Sequence, residues 1–98
     1  MALRSWLFVP GDSEHKLDKA VGTGADVIIV DLEDSVAPEN KGAARNQARA
    51  WLGAHSRVLP GQRRLGRWVR INALDSGHWR EDLLAVMPGA PDGIMLPK

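Results

Sequence analysis

The chain has 98 residues, 44% of them hydrophobic, and a net charge of +1, so it can build a core and offers no bulk electrostatic case for a nucleic-acid partner. It has no cysteine, which excludes disulfide frameworks and thiolate metal sites and suits a reducing compartment. The first apolar run, Ser5 to Val9, is too short for a signal peptide or a membrane span, so the expectation is a cytoplasmic protein with no membrane role.

In chain order, Ser5 to Val9 is aromatic and β-branched and stops at Pro10-Gly11, which predicts a strand and a tight turn. Asp12 or Ser13 then caps a helix with Leu17, Ala20 and Val21 at helical spacing and Glu14 in its first turn, ended by Gly22-Thr23-Gly24. Four consecutive β-branched residues, Val27 to Val30, follow and run into Asp31, Glu33 and Asp34. This pattern fits a buried parallel strand whose carboxyl end is acidic, with Ile29, Asp31 and Glu33 on one face and Val30, Leu32 and Asp34 on the other.

Pro38 suits the first turn of a second helix, with Ala44, Ala48, Trp51 and Leu52 as its buried stripe and Gly53 as its cap. From His55 to Gly66 the pattern dissolves into a connecting loop. Its Arg57, Arg63 and Arg64, with Arg67 and Arg70 beyond them, make a basic cluster that lacks the interleaved aromatics of a nucleic-acid module and reads as a solvated surface. Arg67 to Asn72 alternates as a third strand, placing Val69 and Ile71 on one face and Trp68, Arg70 and Asn72 on the other. Asp75 or Ser76 begins a third helix with Trp79, Leu83, Val86 and Met87 inward, stopped by Pro88-Gly89. Asp92 to Pro97 is a fourth strand, entered through Ala90-Pro91-Asp92 as the second is entered through Gly24-Ala25-Asp26. The order β-α-β-α-β-α-β predicts an α/β fold with right-handed crossovers, strands parallel in the order 1-2-3-4, and helices on one face only.

In such folds chemistry sits beyond the carboxyl ends of the strands. There the sequence places Gly11 and Asp12, Asp31, Glu33 and Asp34, Arg70 and Asn72, and Pro97-Lys98. A guanidinium can hold a substrate carboxylate through paired hydrogen bonds, and Asp31 and Glu33 could orient waters on Mg²⁺. Chemistry alone leaves open whether Arg70 is a structural partner of these acids or catalytic; its location favours function. His15, His55 and His78 have no ligand-like spacing and read as surface residues, and Gly22-Thr23-Gly24 precedes a strand, the wrong place for a dinucleotide fingerprint.

Four ordered blocks, Arg4 to Asp12, Asp31 to Pro38, Arg70-Ile71-Asn72 and Gly93 to Lys98, together resemble the citrate lyase beta subunit family. The resemblance spans the whole chain and implies the first half of a TIM (β/α)₈ barrel, residues 1–98 forming one partial domain with strands 1 to 4. It implies a Mg²⁺-dependent carbon-carbon lyase that makes or cleaves a bond next to a CoA thioester, such as citryl-CoA or malyl-CoA, with an acyl-CoA and a small oxo acid as substrates. By position, Arg70 would be catalytic and hold the oxo acid. Asp31, Glu33 and Asp34 would support the hydrated metal without ligating it, and no direct metal ligand would lie in this chain. Lys19 matches a lysine that meets CoA phosphates, and His15 stands where the family carries an arginine.

A complete barrel takes about 250 residues. The chain is therefore expected to be a fragment or a short paralogue, inactive alone, that belongs to a homo-oligomer or a lyase complex. The competing expectation is a non-catalytic α/β domain that binds a partner or self-associates through the open edges of its sheet.

Overall fold

The computed structural model describes residues 5–56 and 65–97. Four parallel strands, β1 (Trp6–Pro10), β2 (Val27–Asp31), β3 (Gly66–Arg70) and β4 (Gly93–Met95), form one sheet in the order β1-β2-β3-β4. Each crossover contains one helix: α1 (Glu14–Val21), α2 (Lys41–Ala54) and α3 (Trp79–Val86). The expected topology is the observed one. Among the described residues no helix is long and apolar enough to cross a membrane.

The helix starts and stops follow from local chemistry. Ser13 is the residue that caps α1, its hydroxyl accepting the Lys16 N–H at 3.2 Å. Pro38 opens a 3₁₀ turn, Pro38–Asn40, that leads into α2. Gly53 lies inside α2, which continues to Ala54 because the His55 N–H still reaches the Trp51 carbonyl. Asp75 and Ser76 belong to a separate 3₁₀ turn, Leu74–Ser76, and α3 starts only at Trp79. Its buried positions are Asp82 and Val86, whereas Met87, expected inside, is 52% exposed because the helix has already given way to the turn Met87–Gly89.

Period-two alternation divides the sheet into two different faces. Val9, Ile28, Val30, Val69 and Ile94 point to the helices and pack with Leu17 and Ala20 of α1, Ala44, Ala48, Trp51 and Leu52 of α2, and Val86 of α3. All three helices thus share one cluster, and each fully buried Leu or Ile in it contributes about 1.5–3 kcal/mol. Among the described residues the opposite face carries no helix. There Val27 and Ile29 of the central β2 are buried, flanked by Trp6 and Phe8 from β1 and Trp68 from β3. The Trp6 and Trp68 rings meet edge to face at 5.6 Å, while Trp6 and Phe8 stay about half exposed at 47% and 49%.

The basic cluster falls partly outside the described residues. Arg57, Arg63 and Arg64 lie outside the described residues, and Arg67 and Arg70 project to opposite faces. Arg67 is 7% exposed on the helix side, where its guanidinium donates to the carbonyls of Leu52 at 2.8 Å and Ala90 at 2.7 Å. It ties the last turns of α2 to the entry of β4. The repeated entries to β2 and β4 have a common use: Asp26 accepts the Ser5 N–H at 2.9 Å, and Asp92 accepts the Arg67 N–H at 2.8 Å. Each aspartate fastens the amino end of the neighbouring strand.

Gly93 is required by the aromatic cover of the open face. A Cβ there would stand 2.6 Å from the Trp68 indole. Gly93→Ala should cost about 1–3 kcal/mol in urea unfolding, and Trp68→Leu in the same chain should recover part of it. Strict additivity of the two changes would refute this packing account.

Candidate active site

The carboxyl ends of β1, β2 and β3 bring Pro10, Asp31 and Arg70 into one cross-strand row. Asp31 ends the buried β2 and is itself 2% exposed, so its charge needs partners. It has them: Arg70 Nε donates to Oδ1 at 2.9 Å and Arg70 Nη2 to Oδ2 at 2.8 Å, a paired guanidinium–carboxylate contact. The Glu33 N–H reaches Oδ1 at 2.9 Å, and the Ser35 N–H and hydroxyl reach Oδ2 at 3.1 and 2.7 Å. Burial alone would push the Asp31 carboxyl up, but the Arg70 hydrogen bond, helped by Glu33 and Ser35, outweighs it and holds the group down to about 2. The Asp31 bond in turn raises Arg70 above its ordinary value, more than burial lowers it.

The sequence-predicted residues are therefore sorted by the turn after β2. The two oxygens of Asp31 are filled by Arg70, Ser35 and the Glu33 amide, which leaves them no spare capacity to support a hydrated metal. Glu33 stays beside Arg70, with Oε1 at 3.6 Å from Nε. Asp34, expected on the other face, is brought round to the same side because β2 ends at Asp31 and strict alternation ends with it. A cavity of about 360 Å³ opens here, lined by Phe8, Pro10, Asp31, Asp34, Ser35 and Arg70. Arg70 lies over the Phe8 ring, 5.0 Å from its centroid. Two guanidinium nitrogens, Nε and Nη2, are given to Asp31. Gly11 closes the β1 side, its N–H donating to the Asp31 carbonyl at 2.8 Å; a Cβ at Gly11 would stand 2.8 Å from Leu32.

Asn72 is not part of this row. The strand ends at Arg70, and Asn72 turns to the helix side, where it is 3% exposed. Its Nδ2 donates to the Leu32 carbonyl at 3.0 Å and to Asp82 of α3 at 2.6 Å, and its Oδ1 accepts from Lys41 at 2.7 Å. Lys41 Nζ also donates to the carbonyls of Leu32, Glu33 and Val36 at 3.0, 3.1 and 3.3 Å. Asp82 is fully buried and accepts from Arg45 at 2.7 Å. Sequence reasoning missed Lys41 and Asp82, although both left signals. A lysine at the first position of α2 opposes the helix dipole, and Asp82 sits within the apolar stripe of α3.

His15 and Lys19 are exposed on α1, one helical turn apart. His15 lies in the first turn, next to the carboxyl end of β1; Lys19 is about 6 Å further along the axis. His55 and His78 are both half-buried. His55 stacks on Trp51 with centroids 5.1 Å apart, and His78 Nδ1 is 3.4 Å from Arg45 Nη2, so neither is the surface residue expected. Among the described residues no three His, Asp or Glu side chains gather as a metal-binding group.

The HpcH/HpaI aldolase/citrate lyase family profile matches residues 4–98. The chain belongs to that family. As a member of the HpcH/HpaI aldolase/citrate lyase family it is similar to a (3S)-malyl-CoA thioesterase of Cereibacter sphaeroides, 41% identical over 95 residues that make up 97% of this chain and 32% of that protein. It is 40% identical to the citrate lyase subunit beta of Escherichia coli, covering 30% of it. A solved structure of a citrate lyase beta subunit from M. tuberculosis, complexed with oxaloacetate and magnesium, matches 99% of this chain and 39% of its own length, with 41% identity and a TM-score of 0.74. The chain spans about a third of the length of these relatives.

Because Asp31 is held down to about 2 in the fold against an ordinary 3.8, its contribution is fully present above pH 4 and is lost as the pH falls through about 2. Asp31→Asn should flatten the stability profile over that window by about 2 kcal/mol, measured by urea unfolding at a series of pH values. An unchanged acid limb in the variant would show that another carboxylate governs it.

Proposed function

We propose that this chain is the substrate-carboxylate half of a Mg²⁺-dependent carbon-carbon lyase acting on a CoA thioester, the first four strands of a (β/α)₈ barrel. The observation that carries the reading is the Asp31–Arg70 pair at the carboxyl ends of parallel strands, with Arg70 lining the cavity there. An arginine fixed along one edge cannot swing to solvent, so its other edge is pre-positioned for a carboxylate or carbonyl oxygen. Asp31 is then the residue that orients Arg70. Phe8 beneath the guanidinium and Pro10 beside it keep that side of the cavity apolar, which strengthens the electrostatics of the charge it faces.

A bound Mg²⁺ would supply Lewis-acid polarisation of the oxo-acid oxygen. Glu33 and Asp34 are the acids with oxygens left to face its hydration shell; with no three-acid group among the described residues, its direct ligands would come from outside them. When the bond next to the thioester breaks, negative charge shifts between the thioester and the oxo acid, and Arg70 holds the oxo-acid end in place. His15 and Lys19, exposed on α1, would meet phosphate groups of CoA. The proposal includes action in the cytoplasm and assembly as a homo-oligomer or within a lyase complex. The isolated 98-residue chain should show neither acyl-CoA turnover nor micromolar Mg²⁺ affinity in calorimetry.

Arg70→Lys is the direct test in the full-length protein. A lysine keeps the charge but not the planar fork, so kcat/KM for malyl-CoA or citryl-CoA should fall roughly 10²–10³-fold, a loss of about 2–4 kcal/mol of transition-state stabilisation. The melt should remain cooperative. A lowered melting temperature with activity retained by the folded fraction would make Arg70 a structural partner of Asp31 instead.

A further inference from the structure

Behind the site, on the helix side, the turn after β2 is held by a single buried cation. Lys41 is 8% exposed, and its ammonium gathers the carbonyls of Leu32, Glu33 and Val36 together with the side-chain oxygen of Asn72. Three backbone carbonyls from a five-residue turn converge on one atom, which fixes the curvature of that turn. The same turn presents the Glu33 and Ser35 N–H groups that grip Asp31, carries the Asp34 side chain round to the cavity, and sets Glu33 beside Arg70. We propose that Lys41 is a positioning residue of the site: by drawing these three carbonyls inward it aims the Glu33 and Ser35 amides at Asp31, and through Asp31 it sets the orientation of Arg70.

The cation does not stand alone electrostatically. Asn72 relays it to Asp82, accepting from Lys41 through Oδ1 and donating to Asp82 through Nδ2, and Asp82 is balanced on its far side by Arg45, which also reaches Glu81 at 3.2 Å. The relay joins the first residue of α2, the residue two beyond the end of β3, and the middle of α3. The turn at the site is thereby referenced to both helices rather than to its own strand alone. The geometry asks for an ammonium in particular. A lysine nitrogen offers three N–H donors in tetrahedral directions, one of them shared between two of the four oxygens, which suits acceptors converging from several sides, whereas a guanidinium offers its donors in one plane.

This role deepens the lyase reading for its catalytic consequence but not for its structural one, and two measurements separate them. Lys41→Met and Lys41→Arg are made in the full-length protein that carries this segment. Amide hydrogen exchange is followed at Glu33 and Ser35, and kcat/KM is measured with malyl-CoA and Mg²⁺ well below the melting temperature. Lys41→Arg keeps the buried positive charge behind the turn, so it serves even if Lys41→Met fails to fold. The expected result is exchange at Glu33 and Ser35 at least tenfold faster in either folded variant, with Ile28 to Val30 unchanged and kcat/KM at least tenfold lower. If Lys41→Arg keeps both exchange and kcat/KM within twofold of wild type, Lys41 merely balances a buried charge and the proposal is wrong. If exchange quickens while kcat/KM holds, the turn is stabilised by Lys41 but does not position Arg70, which also overturns it. Should wild type fail to turn over the thioester, the lyase reading falls, and the exchange data alone decide whether Lys41 sets the turn.

Discussion

A buried carboxylate at the end of a buried strand must be answered, and the way Asp31 is answered organises everything around it. Its two oxygens accept from Arg70, the Glu33 amide and both donors of Ser35. Removing one partner from such a group leaves an uncompensated charge in the interior, a cost of about 3–5 kcal/mol for a buried pair. The contact therefore fixes the β2–β3 row, the shape of the turn after β2, and the direction of the guanidinium all at once. The price in desolvation is offset by five hydrogen bonds, three of them from the turn that follows β2 and two from the adjacent strand β3.

The sheet keeps its chemistry and its packing on separate sides. On the helix side, apolar residues from all four strands and three helices fill the core, and Lys41, Arg67, Asn72 and Asp82, which intrude there, are paired with each other or with carbonyls. On the other side, an aromatic cover of Trp6, Phe8 and Trp68 leads up to the charged row at the carboxyl ends. This division explains why Arg67 and Arg70, three residues apart, have unlike tasks: alternation sends one into the helix layer as a clamp and the other to the cavity.

The buried polar relay from Arg45 through Asp82, Asn72 and Lys41 is the second feature that a packing account alone would not require. An apolar set of the same shape would be at least as stable. What the relay gives instead is geometry, because hydrogen bonds have direction and dispersion contacts do not. Its four members come from α2, β3's end and α3, so three elements are locked in register behind one turn of the site.

The sequence by itself determined the element order, the parallel topology, the single helical face and the acidic end of β2, because these follow from local signals: apolar periodicity, Pro and Gly punctuation, and the shortness of each crossover. The Arg70 position at the site end was also legible, since it falls on the open face of an alternating strand. The role of Asp31 was not, because nothing local distinguishes a carboxylate that faces a metal from one whose lone pairs are filled by an arginine 39 residues further along the chain. Asp34 and Asn72 were assigned by strand alternation, and alternation stops where a strand stops; β2 ends at Asp31 and β3 at Arg70, so both residues turn to sides that period two does not predict. Lys41 and Asp82 lie 41 residues apart in sequence and meet only through Asn72. Tertiary structure alone decided them, because a buried charge is tolerated only when partners from distant segments arrive together, and that meeting is a property of the packed fold.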